Sequence, residues 1–280
     1  MIGDEPFEVS FSEAVEDLKT RRTSYGGESV SKLRELDADK VFPAWPSADK
    51  AGILPVSDFV EGELRDDIMD VRRCLLPRSQ WPARTPRSRV HANDAEWYRL
   101  VQEGLKRGIF AEVAEDQIFR NQHGEMVLNG AMGVDKFKKT EAGLKHLLRF
   151  ICIFVPANSY LRSLRGDADS LPYLGQLGLL LLEEDEVIIT DSEDMESCFN
   201  LFAMPSCWLG LFAFEKEVPR SVIGGSPHET MRVAMRTVPM GWVGAVDLMQ
   251  SMARRLVFKT CEINPGTEMH KRKEIGRAHV

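Results

Sequence analysis

The sequence lacks the cysteine and histidine patterns of disulfide-rich and zinc-binding proteins. Its five cysteines include no C-x-x-C pair, and their odd number argues against a disulfide framework. Its six histidines show no H-x-x-x-H spacing and no Cys/His cluster, so a zinc site is not expected. We therefore expect reduced, mostly buried thiols, and any bound metal ion should be held by carboxylates.

Long apolar runs and an excess of positive charge are also missing. The longest apolar candidate, Leu177 to Leu182, is far shorter than the roughly 20 residues that a membrane span needs. The first residues lack the basic region of a signal peptide, so we expect an intracellular protein of the cytoplasm or nucleus without membrane contact. The formal net charge of −7 disfavours nucleic-acid binding by overall attraction but allows a locally basic groove.

What is present has the composition of an ordinary soluble protein, with 43% hydrophobic and 28% charged residues among 280. Helix and strand patterns alternate without a βαβ rhythm and no internal repeat is seen, which indicates an α+β fold. The clearest element is a helix that begins with the capping box Asn93 to Glu96 and ends at Gly108. Further helices are predicted at 58–75, 171–182 and 244–258, a β-hairpin region at 110–136, and strands at 147–155, 187–190, 208–214 and 232–238.

Two N-terminal features admit a plain structural interpretation. Residues 76–89, "LPRSQWPARTPRSR", are rich in proline, serine and arginine and predict an exposed loop. A basic arm and a solvated loop are both open, and the missing periodicity favours the solvated loop. The pair Asp66 and Asp67 lies in the helix predicted at 58–75 and is interpreted as part of its solvated face.

An acidic cluster at 191–196 follows the strand predicted at 187–190. It is either a solvated turn or the end of a strand that presents a carboxylate to a metal ion. Within it, Asp194 has an aromatic residue, Phe199, five positions later, whereas Asp191 has Glu196 at that distance. We therefore prefer Asp194 over Asp191 as the candidate metal ligand.

The order of several short motifs between Trp97 and Phe258 resembles the fingers and palm of a retroelement reverse transcriptase. These motifs are "NGAMGVDK", "LLRFICIFVPANSY", "LPYLGQ", "VIITDSEDMESCF" and "VPMGWVGAVDLMQ". The resemblance implies a fingers and palm fold with an incomplete antiparallel palm sheet over residues 93–270, preceded by a mildly acidic, helical and loop-rich extension over 1–92. It also implies an RNA-directed DNA polymerase that uses Mg²⁺, an RNA or DNA primer-template and deoxynucleotides.

The resemblance also implies roles for individual residues. Asp194 would be the catalytic metal ligand, and Phe199 would lie under the sugar and favour deoxynucleotides. Lys136 and Arg149 would contact the triphosphate, which calls for a point cation and a bidentate guanidinium. Gly241 would allow the backbone to approach the nucleotide, although Met240 stands where the family has glutamine.

The third palm motif of the family, an aromatic-x-Asp-Asp hairpin, is absent after Phe258. Since two catalytic metals need a second carboxylate, the chain as written is not expected to polymerise nucleotides. Residues 274–280, "EIGRAHV", resemble a translated sequencing adapter, so we expect a reading frame interrupted after the second palm motif and no fixed structure over 271–280. The alternatives are a non-catalytic nucleic-acid-binding or interaction protein on a polymerase-like scaffold, and an unrelated α+β enzyme that uses the 191–196 acids.

Overall fold

A computed structural model of the protein describes residues 33–140, 143–171, 195–260 and 264. Helices and short strands are mixed along the chain, as an α+β fold requires. The α-helices are α1 (Ala38–Val41), α2 (Gly62–Met69), α3 (Asp94–Arg107), α4 (Val155–Asn158), α5 (Cys198–Leu201) and α6 (Ala245–Arg255). The strands are β1 (Leu54–Pro55), β2 (Phe110–Val113), β3 (Gly130–Thr140), β4 (Gly143–Ile153), β5 (Phe202–Ala203), β6 (Val218–Pro219) and β7 (Thr230–Met235). The expected α+β class is confirmed.

The strands form three small sheets within the described ranges. The antiparallel pair β3 and β4 makes a long hairpin in which Gly130 lies opposite Ile153. A three-stranded antiparallel sheet has the order β2-β7-β6, and β1 pairs in parallel with β5. An isolated antiparallel bridge joins Ala203 of β5 to Thr237, just after β7. The β1–β5 pair therefore lies beside the C-terminal end of β7.

Helix α3 forms as its sequence predicts. The Asn93 side chain accepts a hydrogen bond from the Glu96 amide at 2.9 Å, which satisfies a free donor of the first turn. Gly108 ends the helix in the left-handed conformation, at φ 76°, and donates back to the last turn. Trp97 and Leu100 lie on the buried face. Local capping and periodicity therefore agree at this helix.

The hairpin predicted at 110–136 is wrong in its pairing. Strand β2 pairs with β7, and the long hairpin is instead β3 with β4. The Asn129-Gly130 step does not make a hairpin turn, because the fully buried Asn129 donates its side-chain amide to the carbonyls of Leu211 and Ala213. Only the short turn between Arg120 and Met126 forms as an antiparallel bridge.

The strand predicted at 208–214 forms only at its end, where Ala213 and Phe214 make isolated bridges to Ala234 and Asn129. A 3₁₀ turn covers Ser206–Trp208, and the amides of Leu211 and Phe212 donate back to the Trp208 carbonyl. The Trp208 indole donates to the Ile68 carbonyl at 2.7 Å. A short apolar run that is buried on every side has the sequence pattern of a buried strand even when its backbone forms turns.

Other predicted elements form with different limits. The helix predicted at 58–75 divides into α2 and a 3₁₀ turn at Val71–Cys74, because the Asp70 side chain accepts from the Arg72 amide. The predictions at 147–155, 232–238 and 244–258 correspond to β4, β7 and α6. The strand predicted at 187–190, nearly all of the helix at 171–182 and the tail at 271–280 lie outside the described residues.

One hydrophobic core holds residues from both sides of the predicted 92/93 boundary. Trp45 packs against Phe110 and Phe150 with ring centroids 5.6 and 5.7 Å apart, and Phe110 packs against Phe214 at 5.6 Å. Cys74 and Cys152 are buried free thiols, whereas Cys207 is exposed. None of the helices in the described ranges combines the length and the apolar character of a membrane span.

The interpretation of Asp66 and Asp67 as part of a solvated helix face holds for Asp66 and is wrong for Asp67. The Asp67 side chain is fully buried, while that of Asp66 is 60% exposed. Arg162 donates to Asp67 at 2.5 Å and Arg73 donates to it at 3.2 Å, and Arg165 lies 3.8 Å away. The buried carboxylate therefore joins α2 to the segment after α4.

Replacement of Asp67 by asparagine should lower the free energy of unfolding by about 1–3 kcal/mol, because it weakens charged hydrogen bonds to a fully buried carboxylate while the arginines keep contact with water. Urea unfolding at neutral pH measures this change. Asp66→Asn is the matched control, with an expected change within about 0.5 kcal/mol. Equal losses in the two variants would contradict the role of Asp67.

Candidate functional site

A cleft of about 580 Å³ lies between the β3–β4 hairpin, the segment 195–200 and the residues before Gly241. Lys136 and Arg149 line it from the hairpin, Phe199 from α5 and Met240 from the turn after β7. Three of the five residues that the sequence selects thus lie on one concave surface. Their common position is decided by contacts among segments that are distant in the chain.

The hairpin places Lys136 and Arg149 on the same face. Arg149 lies opposite Val134 and Lys136 lies opposite Leu147, so the two cations are diagonal neighbours across the strands. Such neighbours have Cα atoms about 7–8 Å apart. Among the described residues, neither side chain forms an ion pair or a side-chain hydrogen bond. Both cations therefore line the cleft without a direct ion-pair partner among the described residues.

Lys138 and Glu196 cross the cleft from opposite sides. The Lys138 ammonium lies 3.1 Å from the Glu196 carboxylate. This hydrogen bond, with the charges of Lys138, Lys50 and Lys136, lowers the pKa of Glu196 below its usual value. Glu196 is therefore ionised at neutral pH and offsets one of the three cations that line the cleft, which leaves the lining net positive.

The segment that bears Phe199 begins with strained backbone. Ser197 has φ 54°, in the left-handed region, which costs a non-glycine residue about 1–2 kcal/mol. The Ser197 hydroxyl donates to the Ala44 carbonyl at 3.3 Å, and the Asn200 amide donates to the Ser197 carbonyl at 2.8 Å. This sharp turn directs the chain into α5, where Phe199 is half-buried against the cleft.

The turn at 239–243 packs directly on β4. The Cys152 amide donates to the Met240 carbonyl at 3.0 Å. Gly241 has φ 108°, and a Cβ atom there would lie 2.1 Å from the Cys152 carbonyl oxygen. The Asn158 side-chain amide donates to the Gly241 carbonyl at 2.9 Å, and its oxygen accepts from the Val243 amide at 3.0 Å. Packing against β4 therefore explains the glycine at 241, which lies next to the cleft-lining Met240.

Helix α5 and the start of β5 are hydrogen-bonded inside the core to the segment that follows β7. The Val238 amide donates to the Phe202 carbonyl at 3.0 Å. The Thr237 hydroxyl donates to the Asn200 side-chain oxygen at 3.1 Å, and both residues are buried. These bonds hold Phe199 and Met240 at fixed positions relative to each other.

Asp194, the predicted metal ligand, lies outside the described residues, as does its rival Asp191. The next residue in the chain, Met195, lines the cleft. Across the residues that the structure describes, no three His, Cys, Asp or Glu side chains lie close enough together to hold a metal ion. Glu196 is the one carboxylate among the described lining residues, and Lys138 already binds it.

Two contributors to the cleft, Glu196 and Trp45, were not selected from the sequence. Glu196 belongs to the acidic cluster, but its pairing with Lys138 has no signal in the sequence. Trp45 lines the cleft from the N-terminal region and could be found only from the fold.

Protein-family models give no match to this chain, and neither do curated proteins. The chemistry of the cleft must therefore be inferred from its own groups. Two cations without a direct ion-pair partner beside an aromatic ring suit a ligand that has several negative charges next to an apolar or planar part.

Gly241→Ala should lower the free energy of unfolding by about 2–5 kcal/mol, because the new methyl group meets the Cys152 carbonyl in addition to the strain of positive φ. Gly224→Ala is the matched control: its φ is 84°, but a Cβ atom there meets nothing within 4 Å. The control should lose only about 1–2 kcal/mol. Denaturant unfolding of both variants makes the comparison, and equal losses would contradict the packing of the 239–243 turn on β4.

Proposed function

We propose that the cleft binds a deoxynucleoside triphosphate, as the nucleotide site of a reverse-transcriptase-like domain, that is, an RNA-directed DNA polymerase. The observation that supports this most directly is the convergence of Lys136, Arg149 and Phe199, with Met240 beside Gly241, on one surface. Lys136, Arg149 and Phe199 were selected from sequence motifs, and Phe199 comes from a different motif from the two cations.

The charges of the cleft match a triphosphate. Lys136 supplies a point cation, and Arg149 supplies a planar guanidinium that binds two phosphate oxygens at once. Because neither has a carboxylate partner among the described residues, a bound phosphate does not have to displace an existing ion pair at either side chain. The volume of about 580 Å³ also lies within the roughly 300–1,000 Å³ that is usual for small-molecule sites.

Phe199 is the residue that would make the cleft prefer deoxynucleotides over ribonucleotides. Its ring lies in the cleft on a one-turn helix that is anchored by Ser197 and Asn200. In the proposed pose the ring lies beneath the sugar, where a 2′-hydroxyl would meet it. A rigid aromatic side chain therefore disfavours ribonucleotides by steric exclusion.

The described residues do not by themselves supply a Mg²⁺ site. Hard Mg²⁺ ions take carboxylate and water oxygens, whereas the described lining offers only Glu196, already paired with Lys138. Asp194 is the carboxylate that the resemblance assigns to the metal, and one such group falls short of a two-metal set. We therefore propose nucleotide binding and assign no metal-dependent step to this chain.

A second candidate is a non-catalytic nucleic-acid-binding or interaction protein on the same kind of scaffold. It is favoured by the pairing of Glu196, the one carboxylate among the described lining residues, with Lys138, which leaves no free carboxylate in that lining for a catalytic metal ion. The two candidates differ in one measurable property. The polymerase-like chain binds free deoxynucleotides in the cleft, whereas a protein that only uses the scaffold has no need to do so.

Lys136→Ala and Arg149→Ala should each weaken binding of dATP by about tenfold, since each removes a hydrogen-bonding group that is charged. Isothermal titration calorimetry with dATP gives the affinities. Lys139→Ala is the control, because Lys139 is an exposed cation of the same hairpin that does not line the cleft. A wild-type protein that does not bind dATP, or three variants that bind equally, would overturn the proposal.

Phe199→Ala should reduce the preference for dATP over ATP, because the ring that excludes the 2′-hydroxyl is removed. We expect ATP affinity to rise relative to dATP while the protein stays folded. Leu201→Ala, in the same helix but away from the cleft lining, is the control. An unchanged ratio of the two affinities would remove Phe199 from sugar selection.

A further inference from the structure

The loop at residues 76–89 is a second positively charged surface, distinct from the cleft. Arg78, Arg84, Arg87 and Arg89 are all exposed, and the loop contains no Asp or Glu. Among the described residues none of the four arginines forms an ion pair, although Arg78 lies over the Trp81 ring at 5.6 Å. In a protein of net charge −7, these four guanidinium groups form a locally positive segment that can attract an anionic partner.

We infer that this loop binds the phosphate backbone of a nucleic acid. Guanidinium groups match phosphate oxygens in a bidentate geometry. Ser79 and Gln80 are exposed between the arginines and add neutral donors of the kind that contact phosphates.

The loop is held in place on the core, so its charges are ordered in advance. The Trp81 ring packs edge-on against Phe119 and Tyr160, with centroids 5.6 and 5.3 Å away. The Thr85 hydroxyl lies 2.6 Å from the Tyr160 hydroxyl and accepts from the Asn121 amide at 2.9 Å. Such preorganisation lowers the entropy that is lost when a ligand binds.

Nucleic acid fits this surface better than an acidic protein does. Protein interfaces need an apolar centre, usually with aromatic residues. The exposed residues of this loop include no large apolar side chain, and its one aromatic ring, Trp81, is half-buried against Phe119 and Tyr160. A surface of arginines and small polar groups instead matches a repeating phosphate chain.

The loop and the cleft are separate surfaces. The Arg89 carbonyl accepts from the Ala131 amide at 3.2 Å, at the start of β3, whereas Lys136 lies further along that strand. No residue of the loop lines the cleft. The inference therefore does not depend on nucleotide binding, and the two can fail independently.

The test is fluorescence anisotropy of a labelled single-stranded RNA oligonucleotide, titrated with full-length protein at several salt concentrations. For Arg84→Gln/Arg87→Gln we expect binding about five- to tenfold weaker at low salt, and a salt slope lower by about 1.4, at about 0.7 for each lost phosphate contact. Arg65→Gln/Lys106→Gln removes the same net charge from exposed positions on α2 and α3 and should bind as the wild type does.

Three results would overturn the inference. They are a wild type that does not bind the oligonucleotide, equal losses in the two double variants, and a poly-glutamate peptide that displaces the RNA at equal charge concentration. The last result would assign the loop to an acidic protein segment. Binding of dATP should be unchanged in both double variants, because neither changes a residue of the cleft. A failure of the nucleotide-binding proposal can therefore be told apart from a failure of the loop proposal.

Discussion

The close approach of Gly241 to the Cys152 carbonyl is the contact on which the arrangement of the cleft depends. It allows the Met240 carbonyl to accept from the Cys152 amide and so attaches the turn after β7 to the edge of β4. Asn158 then bridges Gly241 and Val243 from the other side. Because β4 also bears Arg149, one backbone contact sets the distance between the cationic wall and the turn opposite it.

The arginines of this protein show how burial and partners decide the role of one residue type. Around the fully buried Asp67, Arg73 and Arg162 neutralise a carboxylate and hold two segments together. A buried ion that loses its partners is costly, so those arginines are structural. Arg149 in the cleft and Arg87 on the 76–89 loop have no carboxylate partner among the described residues. Their charges are available to a ligand.

The two proposals assign those available charges to two kinds of phosphate. The cleft has an aromatic floor, a restricted volume and two unpaired cations, which suit one small polyphosphate beside a sugar and base. The 76–89 loop presents four exposed arginines, and its one aromatic ring is half-buried beneath Arg78, which suits an extended chain of phosphates. A polymerase-like protein would use both, while a non-catalytic nucleic-acid-binding protein needs only the second.

The sequence by itself determined the elements that depend on neighbouring residues. Asn93 and Gly108 delimit α3 because caps act within one turn, and Lys136 and Arg149 were identified by their place in short motifs. Only the tertiary structure decided that Asp67 is buried, that Asn129 bonds across the core rather than turning a hairpin, and that Glu196 pairs with Lys138. The physical reason is that burial and charge pairing are set by residues far away in the chain, about which a local pattern contains no information.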